Sequence, residues 1–110
     1  MKVSREPSYS LEKMKELICQ GSFYQSTRVA NYLRSHYKKV TPSEIARIVF
    51  SDLTELDFVK SVELINRPGT MADIYIGSDF DDVEWYVKAF IEEDELMVQI
   101  WSMCWDGVTH

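Results

Sequence analysis

The sequence has few of the residues that crosslink a chain, bind metal or interrupt regular structure. Its two cysteines, Cys19 and Cys104, lie far apart and show none of the Cys-x-x-Cys or Cys/His spacings of a zinc site, so neither zinc nor a disulfide is indicated. Only four Gly and three Pro occur among 110 residues, and 45% of the residues are hydrophobic, which is typical of a globular protein. We expect a single domain, residues 1–110, with one core.

Long apolar segments are also missing. The longest apolar run is well short of the ~18 residues that a membrane span needs. The N-terminal stretch "MKVSREPSYS" is polar and lacks the apolar centre of a secretory signal. We therefore expect a cytoplasmic protein with reduced thiols.

The net charge of −6 is unevenly distributed along the chain. Residues 1–60 hold ten Lys/Arg and seven Asp/Glu (+3), whereas residues 61–110 hold two and eleven (−9). A basic N-terminal half can meet phosphates, but the acidic second half repels a polyanion and is better suited to a basic protein surface. Charge alone thus argues against RNA or DNA binding by the second half.

Three segments of the N-terminal half have apolar residues at helical spacing: "YSLEKMKELICQG", "QSTRVANYLRSHYKK" and "TPSEIARIVFSDL". Gly21 is a stop signal for the first of them. Each segment has a residue that can cap a helix at or near its start. These residues are Ser10 in the first segment, Ser26 or Thr27 in the second, and Thr41, in a capping box with Glu44, in the third.

A fourth helix is predicted directly after the third. Thr54 is followed three residues later by Asp57, which repeats the capping-box pattern, so "TELDFVKSVELI" is predicted to be helical, with Leu56, Val59 and Phe58 facing inward. The stretch "NRPGT" then ends it. In such a helix Lys60 falls in the last turns, where a lysine is most often a solvated residue that complements the helix dipole.

From Ala72 onward the apolar residues recur with a period of two. The segments "ADIYI", "VEWYVKAFI" and "LMVQIWSMCW" are predicted to be antiparallel strands, joined by turns at the acidic clusters "SDFDD" and "EEDE". Helices followed by strands indicate an α+β fold, with N-terminal helices packed on a C-terminal antiparallel sheet. Trp101 and Trp105 are predicted to share a strand face, as a base-stacking platform or, more commonly, as core or partner interface.

Five motifs in order make the sequence similar to a known family: "YSLEKMKELICQGSFYQSTR", "LTELDFVKSVEL", "DIY", "WYVKAF" and "LMVQIWS". Together they resemble the MqsR (motility quorum-sensing regulator) toxin family over about residues 7–102. The resemblance implies a bacterial type II toxin with a RelE-like α+β fold. It also implies endonucleolytic cutting of messenger RNA without a metal or cofactor, and inhibition by a cognate antitoxin protein.

The resemblance also implies which residues form the active site. By position, the catalytic residues of the family fall on Lys60 and Tyr86, and we take Lys88, Tyr75 and Trp101 as RNA-binding candidates. No metal ligand is expected.

Two functional positions of the family differ in this chain. A family glutamine is replaced by Ala72, and the lysine that closes the last strand of the family falls near Ser102. A catalytically weak or silent protein-binding module of the same fold is therefore the alternative hypothesis. A DNA-binding regulator is less consistent with the sequence, because no basic recognition helix stands out.

Overall fold

A computed structural model describes residues 2–107 of the chain. Within this range there are three α-helices, six β-strands and two 3₁₀ turns, at Glu55–Asp57 and Phe80–Asp82. None of these helices is long and apolar enough to cross a membrane. The helices are α1 (Leu11–Cys19), α2 (Thr27–His36) and α3 (Pro42–Asp52), and the strands are β1 (Val3–Ser4), β2 (Phe23–Gln25), β3 (Phe58–Leu64), β4 (Arg67–Gly77), β5 (Trp85–Glu92) and β6 (Met97–Trp105).

The three helices begin at the predicted capping residues. The Ser10 hydroxyl accepts a hydrogen bond from the Lys13 N–H, and the Ser26 and Thr41 hydroxyls do the same for N–H groups three residues ahead. Each bond satisfies a helix-end donor that has no partner within the helix. After α1, Gly21 adopts a positive φ of 83°, a conformation that glycine tolerates best.

The six strands form one sheet in the order β1-β3-β4-β5-β6-β2. All neighbours are antiparallel except β2 and β6, which are parallel. The three strands predicted after Ala72 form and are antiparallel, with β5 pairing with both β4 and β6, although β5 begins at Trp85 and not at Val83. The acidic clusters lie in the connections β4–β5 and β5–β6, as predicted, except that Glu92 is the last residue of β5.

The helices cover one face of the sheet, which confirms the α+β fold. A core of buried side chains from all three helices packs against inward-facing residues of β4, β5 and β6. The opposite face, called the open face below, carries a smaller apolar cluster to which no helix residue belongs. The sheet members of the main core are Tyr75, Trp85, Val87, Ala89, Val98, Ile100 and Met103, and the open-face cluster consists of Leu64, Ala72 and Phe90.

The predicted fourth helix is wrong. The Thr54 and Asp57 pair does form, with the Thr54 N–H donating to the Asp57 carboxylate at 2.8 Å, but it starts only a 3₁₀ turn, which leads directly into β3. Leu56 is 95% exposed and Val59 is 45% exposed, so neither belongs to the core. The β-branched and aromatic residues that follow the turn suit a strand, and pairing with β4 overrides the local helix signal.

Candidate functional site

A bulge in β3 turns Lys60 to the open face. Phe58 lies opposite Tyr75 and Lys60 lies opposite Ile74, so that Val59 is an extra residue without a partner of its own. Phe58 packs against the main core on the helix side. In a regular strand Lys60 would point to the same side as Phe58, two residues earlier. The bulge reverses the alternation and exposes the lysine on the other face.

A second bulge occurs in β6 at Trp101. Ile100 lies opposite Ala89 and is buried in the main core, whereas Ser102 lies opposite Lys88. The inserted residue moves Ser102 to the open face. It also separates the two tryptophans that were predicted to share a face.

That tryptophan prediction is therefore wrong. Trp101 packs against Phe90 of the open-face cluster, with ring centroids 5.7 Å apart. Trp105 packs on the helix side, where its ring lies 4.7 Å from the His36 ring and 6.1 Å from the Tyr32 ring.

The two bulges align Lys60 with Lys88 across the sheet. Lys60 of β3 is opposite Ile74 of β4, which is opposite Lys88 of β5, which is opposite Ser102 of β6. Adjacent strands are about 4.8 Å apart, so the two lysine backbones lie about 10 Å from each other. Tyr86 stands beside this row, two residues from Lys88 on the same face of β5.

A shallow concavity of about 360 Å³ lies over this row. Four of the five predicted site residues line it, namely Lys60, Tyr86, Lys88 and Trp101. Two of them come from β5, one from β3 and one from β6, so residues that are up to 41 positions apart in the sequence meet at one surface.

Tyr75, the fifth predicted residue, does not belong to this surface. Its ring is on the helix side of β4, contacts Phe58 at 5.5 Å between centroids, and is 1% exposed. Burial, followed by the negative charges of Asp73 and Glu55, raises the pKa of Tyr75 to about 12. A side chain enclosed in the core cannot stack on a base, so Tyr75 is withdrawn as an RNA-binding candidate.

Arg28 lines the concavity and was missed by the sequence predictions. Its Nη2 atom donates hydrogen bonds to the Trp101 carbonyl oxygen at 3.3 Å and to the Ser102 hydroxyl at 3.0 Å. Arg28 is in the second position of α2, far from the strands in sequence. The one signal was its place in "QSTR", the end of a motif shared with the family.

Charge on the concavity is predominantly positive. Within residues 2–107 the ion pairs are Lys13 with Glu16 and Arg67 with Glu92, and none involves Arg28, Lys60 or Lys88. Glu63 is the one acidic residue among the lining residues. Its carboxylate already accepts hydrogen bonds from the backbone N–H groups of Gly69 and Lys2.

Burial alters the proton affinity of the two central side chains. Burial, and then the nearby positive charge of Arg28, lowers the pKa of Lys88 from its ordinary value. Burial also raises the pKa of Tyr86, which keeps its hydroxyl protonated at neutral pH. Lys88 therefore holds its proton less tightly than a free lysine, and Tyr86 holds its proton more tightly than a free tyrosine.

The residues at the two differing family positions also lie on the open face. Ala72 is completely buried in the open-face cluster and presents only a methyl group. Ser102 is 4% exposed beneath Arg28. Within residues 2–107 no three His, Cys, Asp or Glu side chains converge as metal ligands would. His36 packs on the helix side, and His110 lies outside the described residues.

Comparison with known proteins identifies the family of the chain. No curated protein sequence gives a significant match. The profile of one family, described as "Motility quorum-sensing regulator, toxin of MqsA", matches residues 6–102. That range contains all three helices and Lys60, Tyr86 and Lys88, so the resemblance noted in the sequence is confirmed. The chain belongs to the MqsR toxin family, and is thus a toxin of a toxin–antitoxin system.

Proposed function

We propose that this toxin is a metal-independent endoribonuclease that cleaves single-stranded messenger RNA and is inhibited by a cognate antitoxin. The observation that carries the proposal is the row of side chains across the open face, in which Lys60 and Lys88 stand beside Tyr86 without any ion-pair partner in residues 2–107. A positively charged surface on a protein with a net charge of −6 favours an anionic ligand.

Cleavage without a metal has three chemical requirements. The ribose 2′-OH gives up its proton to solvent water as its oxygen attacks the adjacent phosphorus, the pentavalent transition state gains negative charge, and the leaving 5′ oxygen takes up a proton as its bond to phosphorus breaks. The products are a 2′,3′-cyclic phosphate and a free 5′-hydroxyl. Lys60 stabilises the developing charge, and Tyr86 donates the proton or stacks on a base.

Lys88 supports the same function from the centre of the row. It is half-buried next to Arg28, and both circumstances disfavour its charged form. A bound phosphate is negatively charged and therefore stabilises the charged form of Lys88. Lys88 is therefore assigned to phosphate binding, next to Lys60.

The shape of the surface favours a single strand. A wide, shallow sheet surface admits splayed bases, which stack on aromatic rings, as is usual for sequence-specific RNA recognition. Trp101 and Tyr86 lie on opposite sides of the row and provide two such rings.

One acidic residue of the second half, Glu63, lines this surface, and its carboxylate accepts hydrogen bonds from the backbone N–H groups of Gly69 and Lys2; the acidic clusters lie elsewhere. These clusters lie in the connections at the two ends of the strands, while the row crosses the middle of the sheet. Asp73, which is within β4, points to the helix side and accepts hydrogen bonds from the Ser8 and Tyr9 N–H groups. The acidic connections are available to a basic antitoxin segment, whose attraction would weaken as salt rises.

The proposal is tested by incubating the purified chain with a labelled single-stranded RNA in the presence of EDTA. We expect cleavage products that carry 2′,3′-cyclic phosphate and 5′-hydroxyl ends. A matched RNA with 2′-deoxyribose at the cleaved position is the control, because it lacks the attacking hydroxyl and should remain intact. Adding the protein encoded by the neighbouring reading frame should suppress cleavage if that protein is the antitoxin.

Two outcomes contradict the proposal. Cleavage of the deoxy-substituted RNA at the same position would exclude attack by the 2′-OH. Absence of any cleavage by a correctly folded chain would support the alternative of a silent binding module, which the methyl group of Ala72 at a functional position of the family also favours.

A further inference from the structure

The start of α2 is fixed against the bulge in β6. Strand β2 runs parallel to β6 as far as the pair Gln25 and Ile100, and α2 follows after one residue. That residue, Ser26, donates its backbone N–H to the Ile100 carbonyl oxygen at 3.2 Å. The first turn of α2 therefore stands beside Trp101, and Arg28 projects from this turn to the open face.

The guanidinium of Arg28 is anchored through one nitrogen. Nη2 donates to the Trp101 carbonyl oxygen and to the Ser102 hydroxyl. A guanidinium has five N–H donors in a rigid plane, and within residues 2–107 the three N–H groups of Nε and Nη1 have no hydrogen-bond partner. Among the described residues these groups have no carboxylate to pair with. Fixed orientation and unused donors are what bidentate binding of a phosphate requires.

Arg28 also extends the row of positive charge. Its anchor, Ser102, is the fourth member of the row after Lys60, Ile74 and Lys88. Three strand spacings of about 4.8 Å make a line of roughly 14 Å. A line of that length suits consecutive phosphates of one strand better than a single isolated phosphate.

We propose that Arg28 is an additional RNA-binding residue, which holds a backbone phosphate at the β6 end of the row. The inference rests on the proposed function and specifies one substrate contact within it. Arg28 thereby places a positive charge over Ser102, where the chain has no lysine of its own.

The salt dependence of RNA binding tests this contact. Each phosphate neutralised on a single strand contributes about −0.7 to the slope of log K against log salt. We measure the affinity of a fluorescently labelled 2′-O-methyl RNA, which cannot be cleaved, by anisotropy at several salt concentrations. Arg28→Ala should weaken binding and make the slope shallower by about 0.7.

Arg34→Ala is the matched control, because it removes the same charge from the same helix at an exposed position whose hydrogen bond goes to Asn31. Its slope should equal that of the wild type. A rescue variant separates charge from structure: in Arg28→Ala with Ser102→Lys, the new ammonium starts from the residue that the guanidinium contacts. This variant should recover the slope. Melting temperatures are compared to confirm that all variants are folded.

The possible results separate this inference from the proposed function. If the wild type does not bind RNA, both fail together. If the wild type binds and Arg28→Ala keeps its full slope, Arg28 contacts no phosphate and only this inference fails. If the slope remains shallow in the rescue variant, the loss comes from a change in the shape of the bulge and not from the missing charge. The inference about Arg28 then also fails.

Discussion

Lys60 is the residue whose removal tests the active site most directly. An ammonium 4 Å from a phosphate oxygen gains about 4 kcal/mol at an effective dielectric constant of 20. Lys60 is exposed, so solvent reduces this gain. Loss of one charge-stabilising group from an active site typically costs about 10² to 10³ in kcat. We therefore expect Lys60→Ala to slow cleavage by about that factor.

The fold should tolerate this substitution. Lys60 has no ion pair within residues 2–107, and surface changes of this kind alter the free energy of unfolding by less than about 0.5 kcal/mol. The melting temperature should shift by no more than about 4 °C. Lys60→Arg should recover only part of the activity, since a planar guanidinium presents its donors differently from a compact ammonium.

The assay is single-turnover cleavage of a labelled RNA, with melting temperature measured in parallel. Lys13→Ala is the control, because Lys13 lies on α1 and pairs with Glu16, away from the open face. If the wild type is active and Lys60→Ala cleaves equally fast, charge stabilisation by Lys60 is refuted. If Lys60→Ala and Lys13→Ala lose the same amount of activity, the loss reflects the total charge of the protein and not a role of Lys60 in the site.

Two further substitutions probe tyrosines on opposite faces of the sheet. Tyr86→Phe should lower kcat by about 10²-fold with little change in KM if the hydroxyl donates the proton, whereas an unchanged kcat would leave Tyr86 only a stacking role. Tyr75 has a pKa of about 12 in the fold against 10.0 ordinarily, so it remains neutral while unfolded chains ionise. The free energy of unfolding should therefore fall between pH 10 and 12 by up to about 2.7 kcal/mol. Tyr75→Phe should remove this part of the dependence in urea titrations, and an identical pH profile would contradict it.

The helices and the meander could be predicted because their signals are local. Caps such as Ser10 and Thr41 lie next to the turns that they stabilise, and the period of two in β5 is uninterrupted. The short strands β1 and β2 were missed, because segments of two and three residues show no period. Their pairing depends on strands that are distant in sequence.

Lys60 is exposed and lies in β3, whereas the sequence pattern predicted a helix there. The capping pair at Thr54 and Asp57 is real, and the bulge at Val59 breaks the alternation that would have indicated a strand. The bulge at Trp101 likewise breaks the alternation in β6, so Trp105 was predicted to lie on the wrong face of the sheet. The spacing of residues along the sequence could not identify Arg28 as a site residue, because α2 reaches the site only through the parallel pairing of β2 with β6.

Because Val59 is the extra residue of a bulge, deleting it should disturb the structure, whereas replacing it with another residue should not. Its side chain is 45% exposed, so many residues can replace it at little cost. Deleting it would restore strict alternation, and then either Phe58 leaves the core or Lys60 leaves the row. A chain that lacks residue 59 can keep Phe58 in the core or Lys60 on the open face, but not both. Circular dichroism would detect loss of the fold, and an RNA cleavage assay would detect loss of Lys60 from the row. Related toxins should therefore carry many different residues at this position, whereas a related toxin with a deletion in β3 should be inactive.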